Sequence, residues 1–149
     1  DDNPLMIANS DQWVNYDINN YINYSSIYDG MIMTMYADDP KWSFIAFEDD
    51  LVTEVVEKRV ISNEATVGIY NFSNGTNFID AAKKMIKKDL RVNGEFYVAP
   101  VFNEMIESEM KIGYKNIDSD KENVMFGLGT PEDLEVFLAD EISQKMLWK

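Results

Sequence analysis

Residues 30–37, GMIMTMYA, carry apolar side chains at both alternating sets of positions, with three methionines in one of the sets. Successive side chains of a strand point to opposite faces of a sheet, so a strand of this composition is covered on both faces. Residues 65–72, ATVGIYNF, form a second strongly apolar strand. The sequence therefore predicts a central sheet with other elements packed on each side of it.

The rest of the chain divides into short strand-like and helix-like segments. Asp17 and Thr130 are typical capping residues at two predicted helix starts, and Pro131 suits the first helical position. Strands and helices alternate without an internal repeat or long linker, which predicts a single α/β domain at residues 1–149, with a mixed sheet and flanking helices. The predicted strands are 5–10, 30–37, 42–47, 51–58, 65–72, 111–117 and 124–129; the predicted helices lie within 15–28, 78–90, 98–108 and 130–138.

The stretch LMIANSDQW at residues 5–13 passes from apolar residues directly into polar ones. This pattern predicts a strand of central-sheet composition whose last residues bring Asp11 to the edge of the sheet. Ligands of α/β sheets collect at such strand ends, and a carboxylate there can hold a hard divalent cation against phosphate oxygens. Asp is also typical of turns and helix caps, so both interpretations of Asp11 stay open.

The formal net charge of -14 argues against several classes of partner. Phosphate backbones and anionic lipid surfaces would be repelled over most of the surface, whereas metal cations would be attracted, so we expect neither nucleic acid nor a membrane as partner. No apolar run approaches the roughly 18–20 residues that cross a bilayer, and the acidic start DDNP is unlike a signal peptide, so a cytoplasmic location fits best. The sequence has no Cys and no His, which leaves carboxylates, lysines, backbone amides or a metal for chemistry.

Other polar residues have ordinary structural interpretations. Glu57 and Lys58 are typical of an ion pair at a strand end, and Glu95 is typical of a solvated loop. Gly68 lies inside a predicted strand, where glycine is unfavourable unless a backbone or a ligand comes close. The helix at residues 78–90 is expected to present a solvated face of lysines to water, formed by Lys83, Lys84, Lys87 and Lys88.

Several short motifs occur in order along the chain. They are ANSDQ at 8–12, VVEK at 55–58, ATVGIYNF at 65–72, NGEFYV at 93–98 and GLGTPEDL at 127–134. Together they resemble the C-terminal part of the sugar-phosphate nucleotidyltransferases, and the resemblance covers nearly the whole chain. It implies a nucleotide-diphospho-sugar transferase fold, similar to that of A-type glycosyltransferases, without its N-terminal portion. The implied reaction transfers a nucleotidyl group from an NTP to a sugar 1-phosphate or another small phosphate and releases pyrophosphate.

The resemblance also implies roles for individual residues. Asp11 matches the family's Mg²⁺-binding aspartate, and Asp11 and Lys58 are the expected catalytic residues. Lys58 would offer a positive charge to the acceptor phosphate, while Glu57 would accept hydrogen bonds from acceptor hydroxyls. Gly68 would let the acceptor approach the strand backbone, and Glu95 matches a second hydroxyl-binding carboxylate.

Two features depart from the family pattern. Gly127 stands where many members carry a second metal-binding aspartate, so a non-catalytic binding or assembly module that kept the fold stays an alternative. The Gly-rich loop that cradles the triphosphate has no counterpart in the sequence. We therefore expect the C-terminal part of such an enzyme, without NTP turnover by itself, that forms a homo-oligomer through its apolar first strand. A glycosyltransferase that uses a finished nucleotide sugar would generally need a paired-Asp motif, and residues 9–12 offer one Asp.

Overall fold

A computed structural model describes residues 2–119 and 124–147 of the chain. Its strands are β1 (Leu5–Ala8), β2 (Gln12–Asn15), β3 (Gly30–Tyr36), β4 (Ser43–Glu48), β5 (Leu51–Glu57), β6 (Glu64–Phe72), β7 (Ile112–Asn116) and β8 (Val124–Gly127). Its helices are α1 (Ile18–Ser25), α2 (Gly75–Lys87), α3 (Val101–Ile106), α4 (Pro131–Ala139) and α5 (Glu141–Leu147).

The described strands form a six-stranded sheet and a separate two-stranded sheet. The order in the larger sheet is β1-β6-β3-β7-β5-β4, with β3 and β7 parallel and the other pairs antiparallel. Strands β2 and β8 pair with each other in an antiparallel ribbon. The predicted mixed sheet with flanking helices is thereby confirmed.

Both faces of strand β3 are buried, as its sequence predicts. Met31 and Met33 are at most 1% exposed and belong to one apolar cluster, which includes side chains of α1 and β4. Ile32, between them, is completely buried in a second cluster with side chains of α2 and α3. Removing such a side chain from water contributes about 1.5–3 kcal/mol, so the alternation along β3 specifies a covering layer on each face.

Strand β6 changes its neighbour along one edge. Residues 69–72 pair with β1, whereas Ala65 pairs with Phe44 of β4 on the same edge. On its other edge β6 pairs with β3, and a bulge there sets residues 67–69 opposite Met33 alone. The bulge and the change of neighbour coincide, which leaves a gap in the sheet between β1 and β4.

The capping residues define where the helices begin. The Asp17 carboxylate accepts a hydrogen bond from the backbone N–H of Asn19, and the Thr130 hydroxyl accepts one from that of Asp133, so both predicted caps are confirmed. Helix α2 begins earlier than its apolar periodicity indicates, because Asn74 caps it. Within the described ranges, none of the helices is both long enough and apolar enough to pass through a bilayer.

The positions of three elements differ from the sequence-based expectation. The sequence predicts a central strand at residues 5–10, but β1 is the end strand of the described sheet, and its side chains alternate between half-buried and exposed. Helix α3 has only six residues, Val101–Ile106, instead of the predicted 98–108. Strand β2 has no predicted counterpart, because a four-residue strand among polar residues becomes ordered only by pairing with the distant β8.

The lysine face of α2 is exposed, and two of its lysines also form polar contacts. Lys84 donates a hydrogen bond to the Ser108 hydroxyl, and Lys88 forms ion pairs with Glu104 at 2.9 Å and Glu107 at 2.6 Å. Glu104 is 1% exposed, so Lys88 supplies the opposite charge that a buried carboxylate requires. The expected solvated face of Lys83, Lys84, Lys87 and Lys88 is confirmed, because all four are exposed. Helical periodicity alone does not show that two of them also contact residues of α3 or the turn after it.

Candidate functional site

A cavity of about 420 Å³ lies at the gap between β1 and β4, and we name it the strand-gap cavity. Three residues predicted to bind the acceptor, Glu57, Lys58 and Gly68, line it together although they come from different parts of the sheet. The fold thus brings three of the four predicted acceptor residues to one place, whereas Glu95 does not line the cavity and contacts its lining through Tyr97. The other lining residues are Asn9, Lys41, Trp42, Ser43, Thr66, Tyr70, Phe96, Tyr97, Val98 and Ala99.

Lys58 is exposed at this cavity and held by defined contacts. It follows β5 in a left-handed conformation, with a φ of 55°, and its backbone N–H donates to the Trp42 carbonyl at 3.1 Å. Its Nζ donates to the Tyr97 hydroxyl at 2.7 Å, and that hydroxyl donates to Oε2 of Glu95 at 2.8 Å. The hydrogen bond to Tyr97 raises the pKa of Lys58, and the charges of Glu57 and Glu95 act in the same direction. Lys58 therefore presents a positive charge to the cavity at physiological pH.

The buried part of the strand-gap cavity contains hydroxyl groups. Ser43 donates a hydrogen bond to Oε2 of Glu57, and the hydroxyls of Thr66 and Tyr70 lie 3.0 Å apart. Burial raises the pKa of Tyr70 to about 12, and the negative charge of Glu57 adds to this shift. Tyr70 is thus neutral at physiological pH. A cation beside carboxylate and hydroxyl groups suits a ligand that carries both an anionic group and hydroxyls.

Gly68 has a φ of 77°, a conformation that residues with side chains rarely adopt. A Cβ at this position would lie 2.7 Å from Cγ of Asn9, whose backbone N–H donates to the Gly68 carbonyl at 2.9 Å. The space beside Gly68 is therefore filled by the Asn9 side chain. Gly68 and Asn9 both line the cavity, so the predicted approach of the acceptor to the Gly68 backbone stays a prediction, with the Asn9 side chain beside it.

A smaller cavity of about 180 Å³ adjoins the first one through three shared lining residues, Asn9, Lys41 and Trp42. Asp11, the predicted metal ligand, and Asp133, in the first turn of α4, both line it. We name it the two-carboxylate cavity. The fold thus places the predicted metal ligand beside the predicted acceptor residues, and it adds a second carboxylate from a distant part of the chain.

Gly129 leaves room for the Asp11 carboxylate, whereas a side chain at position 127 would make only an ordinary contact with Asp133. A Cβ on Gly129 would lie 2.9 Å from Oδ2 of Asp11, and a Cβ on Gly127 would lie 3.7 Å from Oδ2 of Asp133. Within the described ranges, neither carboxylate takes part in a hydrogen bond or an ion pair. Unpaired carboxylate oxygens with free space beside them are a donor set that fits Mg²⁺. The described residues contain no group of three or more acidic side chains placed for a metal, so phosphate oxygens of a ligand would have to complete its coordination.

Sequence reasoning missed most lining residues of these cavities, of which four bear on the proposed chemistry. Asn9 and Tyr97 stand inside the motifs ANSDQ and NGEFYV, so their nearness to predicted site residues was a usable signal. Ser43 carried no such signal, because its contact with Glu57 depends on the register of β4 against β5. Asp133 has an ordinary explanation as an acidic residue near the positive end of a helix dipole.

A sheet strand that changes its neighbour, with a polar cavity at the change, defines an α/β fold whose candidate ligand site lies at the discontinuity of the sheet. Solved structures share this fold. The nucleoside-diphosphate-sugar pyrophosphorylase from Vibrio cholerae RC9 is 24% identical, with a TM-score of 0.74 over 92% of this chain and 56% of its own. A Bacillus anthracis protein assigned as a glucose-1-phosphate thymidylyltransferase, in complex with a sucrose, is 17% identical, with a TM-score of 0.72 over 96% of this chain and 55% of its own.

The inositol-1-phosphate CTP transferase from T. maritima is 10% identical, with a TM-score of 0.67 over 99% of this chain and 56% of its own. Sequence comparisons find no matching protein-family model and no similar curated protein. The chain therefore has the fold of one part of the sugar-phosphate nucleotidyltransferases, as the sequence motifs predict. It spans 55–56% of the length of these structures.

Proposed function

We propose that this chain forms the acceptor side of a sugar-phosphate nucleotidyltransferase. The observation that carries the proposal is the contact between the two cavities: Lys58 lines one, Asp11 lines the other, and the shared residues Asn9, Lys41 and Trp42 join them. A phosphate bound by Lys58 would face the carboxylate that is suited to a metal. This arrangement matches a reaction in which an acceptor phosphate meets a metal-bound nucleotide.

In the proposed reaction, an oxygen of the acceptor phosphate attacks the α-phosphorus of an NTP. A new P–O bond forms there, the bond between the α-phosphorus and the β-phosphate oxygen breaks, and pyrophosphate leaves. Lys58 would bind and orient the attacking phosphate, and Asp11 would hold Mg²⁺, which when bound neutralises phosphate charge. The reaction needs no Cys or His, in agreement with the composition of the chain.

We propose a hydroxylated ring that carries a phosphate as the acceptor, with glucose 1-phosphate as the first compound to test. Glu57 and Glu95 lie next to Lys58 and are ready to accept hydrogen bonds from ring hydroxyls. The names of the similar structures include a glucose 1-phosphate and an inositol 1-phosphate enzyme, which share this acceptor chemistry. A small phosphate without ring hydroxyls would use none of the remaining acceptor capacity of these carboxylates.

Calorimetric titration of the full chain with glucose 1-phosphate tests the proposal. We expect saturable binding that Lys58→Ala weakens about ten- to a hundredfold, because a charge-assisted contact is lost. Lys87→Ala is the matched control, since it removes an exposed lysine on α2 that lines neither cavity. An equal loss in both variants, or no binding by the unaltered chain, would contradict the proposal.

A second candidate function is that of a binding or assembly module without catalytic activity. Gly127 favours it, because glycine provides no metal-binding carboxylate at this position. Such a module would give no saturable heat with Mg²⁺ or with glucose 1-phosphate. Because the chain spans 55–56% of the similar structures, we propose that it releases no pyrophosphate from NTPs by itself. Turnover by this chain alone would overturn that part of the proposal.

We also propose a cytoplasmic location and self-association through the exposed edge of β1. Met6 of β1 is 36% exposed, and Ile22 of α1, which lines the same apolar surface cavity, is 45% exposed. Apolar patches of this kind are typical of interaction surfaces. Sedimentation at micromolar concentration is expected to show a dimer, and Ile22→Lys is expected to give a monomer. A monomeric unaltered chain would contradict this proposal.

A further inference from the structure

We infer that Asp133 is the second metal ligand of this chain and takes the place of the aspartate that position 127 lacks. The inference rests on the proposed function, because that function requires the metal. Oδ2 of Asp133 lies 3.7 Å from where a Cβ on Gly127 would stand. The Asp133 carboxylate therefore approaches the space that an aspartate side chain at position 127 would enter.

The local fold explains how a residue of α4 reaches this space. β8 pairs with β2 so that Gly127 stands opposite Gln12, next to Asp11 in the sequence. The N–H of Leu128 then donates to the Asp11 carbonyl at 2.7 Å. The Thr130 hydroxyl accepts a hydrogen bond from the Asp133 N–H at 3.1 Å, which begins α4 immediately after this turn. Asp11 and Asp133 thus line the same cavity at the glycine-containing turn between β8 and α4.

The ordinary role of an acidic residue at this helix position would be a capping box. There the side chain of the third helical residue accepts a hydrogen bond from the backbone N–H of the capping residue. Asp133 occupies that position relative to Thr130, but within the described residues its carboxylate accepts no such bond. The side chain is therefore not used for capping, and it lines the two-carboxylate cavity instead.

An independent observation points to a missing ligand at the same place. Gln12 lines the two-carboxylate cavity, and its side-chain nitrogen is buried without a hydrogen-bond partner in the described structure. Buried polar atoms are nearly always paired, and an amide nitrogen is a donor, so this nitrogen needs an oxygen acceptor, such as a water or phosphate oxygen that also coordinates a bound ion. Both observations involve groups from separate elements that converge on one cavity.

Mn²⁺ titration of the full chain, followed by paramagnetic broadening of its backbone amide NMR signals, tests the inference without an activity assay. Signals of Asp11 and Gly127 are expected to broaden first. Asp133→Asn is expected to weaken Mn²⁺ binding about tenfold or more. Substitution of a residue that only hydrogen-bonds to a metal ligand already lowers metal affinity by that factor. Glu132→Gln is the matched control, because it removes a neighbouring exposed carboxylate that does not line the cavity.

A rescue variant keeps the test independent of any damage to α4. A Cβ on Gly127 would lie 3.7 Å from Asp133 and 3.9 Å from Cη2 of Trp42, which are ordinary contacts, so position 127 accepts an aspartate. The double variant Asp133→Asn/Gly127→Asp is expected to recover Mn²⁺ binding.

Unchanged binding in Asp133→Asn, or failure of the double variant to recover it, would overturn the inference. Loss of Mn²⁺ binding in Asp11→Asn alone would keep the metal site of the proposed function and reject only Asp133. Absence of Mn²⁺ broadening in the unaltered chain would reject the metal site altogether. Metal-free titration with glucose 1-phosphate reports separately on the acceptor side.

Discussion

The two adjoining cavities differ in how their charged groups are satisfied. In the strand-gap cavity, Lys58 donates to Tyr97, Tyr97 donates to Glu95, and Ser43 donates to Glu57. In the two-carboxylate cavity, the side chains of Asp11 and Asp133 have no partner among the described residues. One cavity is thus internally hydrogen-bonded, whereas the other contains two unpaired carboxylates, with Lys41 as the positively charged residue of its lining.

This difference indicates what each cavity needs from its ligand. Groups that are already oriented by hydrogen bonds lose little conformational freedom on binding, so the strand-gap cavity is prepared for its ligand without a metal. Two neighbouring carboxylates repel each other, so the second cavity gains free energy from any cation that enters it. The predictions below test whether the two cavities respond separately to substitution.

The largest expected effect comes from the bulge that forms the strand-gap cavity. Gly68→Ala forces a side chain onto a φ of 77° and into the space of Asn9, so we expect a loss of about 2–3 kcal/mol in the free energy of unfolding. Urea denaturation measures this loss.

Gly94→Ala is the matched control for that substitution. Gly94 has a similar φ of 83°, but a Cβ there would meet nothing within 4 Å, so we expect a loss of only about 1 kcal/mol. Asn9→Ala in the Gly68→Ala background should restore part of the stability. Equal losses at both glycines would show that the contact with Asn9 is energetically unimportant.

The next effect concerns the two-carboxylate cavity. We expect Asp11→Asn to lower Mn²⁺ affinity about tenfold, and inorganic pyrophosphate to increase the affinity of the unaltered chain by supplying further oxygen ligands. The same substitution is expected to leave metal-free binding of glucose 1-phosphate unchanged. Calorimetric titration of the unaltered chain and of Asp11→Asn with Mn²⁺ and with glucose 1-phosphate measures these affinities. A parallel loss of the two affinities would mean that the cavities do not respond separately.

The smallest effect concerns Tyr97. Tyr97→Phe removes the hydroxyl that accepts a hydrogen bond from Lys58, so the pKa of Lys58 is expected to fall towards its ordinary value. With a raised pKa, the contribution of charged Lys58 to stability is complete below the ordinary pKa of lysine, and it is lost as the pH rises through the raised pKa. In Tyr97→Phe this contribution should be lost at a lower pH than in the unaltered chain.

NMR titration of the Lys58 side chain measures the pKa shift. We also expect glucose 1-phosphate to bind about fivefold more weakly to Tyr97→Phe, because Lys58 loses its orientation. Tyr24→Phe is the matched control, since the Tyr24 ring lies on α1 and lines neither cavity. A Lys58 pKa that does not move would remove Tyr97 from its proposed positioning role.

The parts of the molecule that could be predicted from sequence are those set by local patterns. The two-sided burial of β3 follows from its alternating apolar residues, and the starts of α1 and α4 follow from Asp17 and Thr130. Motif order was sufficient to identify Asp11, Glu57, Lys58, Gly68 and Glu95 as a candidate set.

The parts that could not be predicted depend on contacts between distant segments. β2 becomes a strand only because β8 pairs with it, and the same pairing carries α4 and Asp133 to the side of Asp11. The surroundings of Gly68 could also be learned only from the structure. The sequence shows a glycine in a predicted strand, but it does not show that the Asn9 side chain fills the space beside it. The motifs therefore provided the candidate residues, whereas pairing between distant segments determines which residues lie next to them.

The central claim is that the two cavities form one site, with the acceptor phosphate facing the metal. The most direct test is ³¹P NMR relaxation of glucose 1-phosphate bound to the full chain in the presence of a small amount of Mn²⁺. We expect strong relaxation enhancement of the phosphate signal, which falls by about tenfold or more towards the protein-free level both in Lys58→Ala and in Asp11→Asn. Undiminished enhancement in either variant, or a bound phosphate that Mn²⁺ does not relax, would contradict the claim.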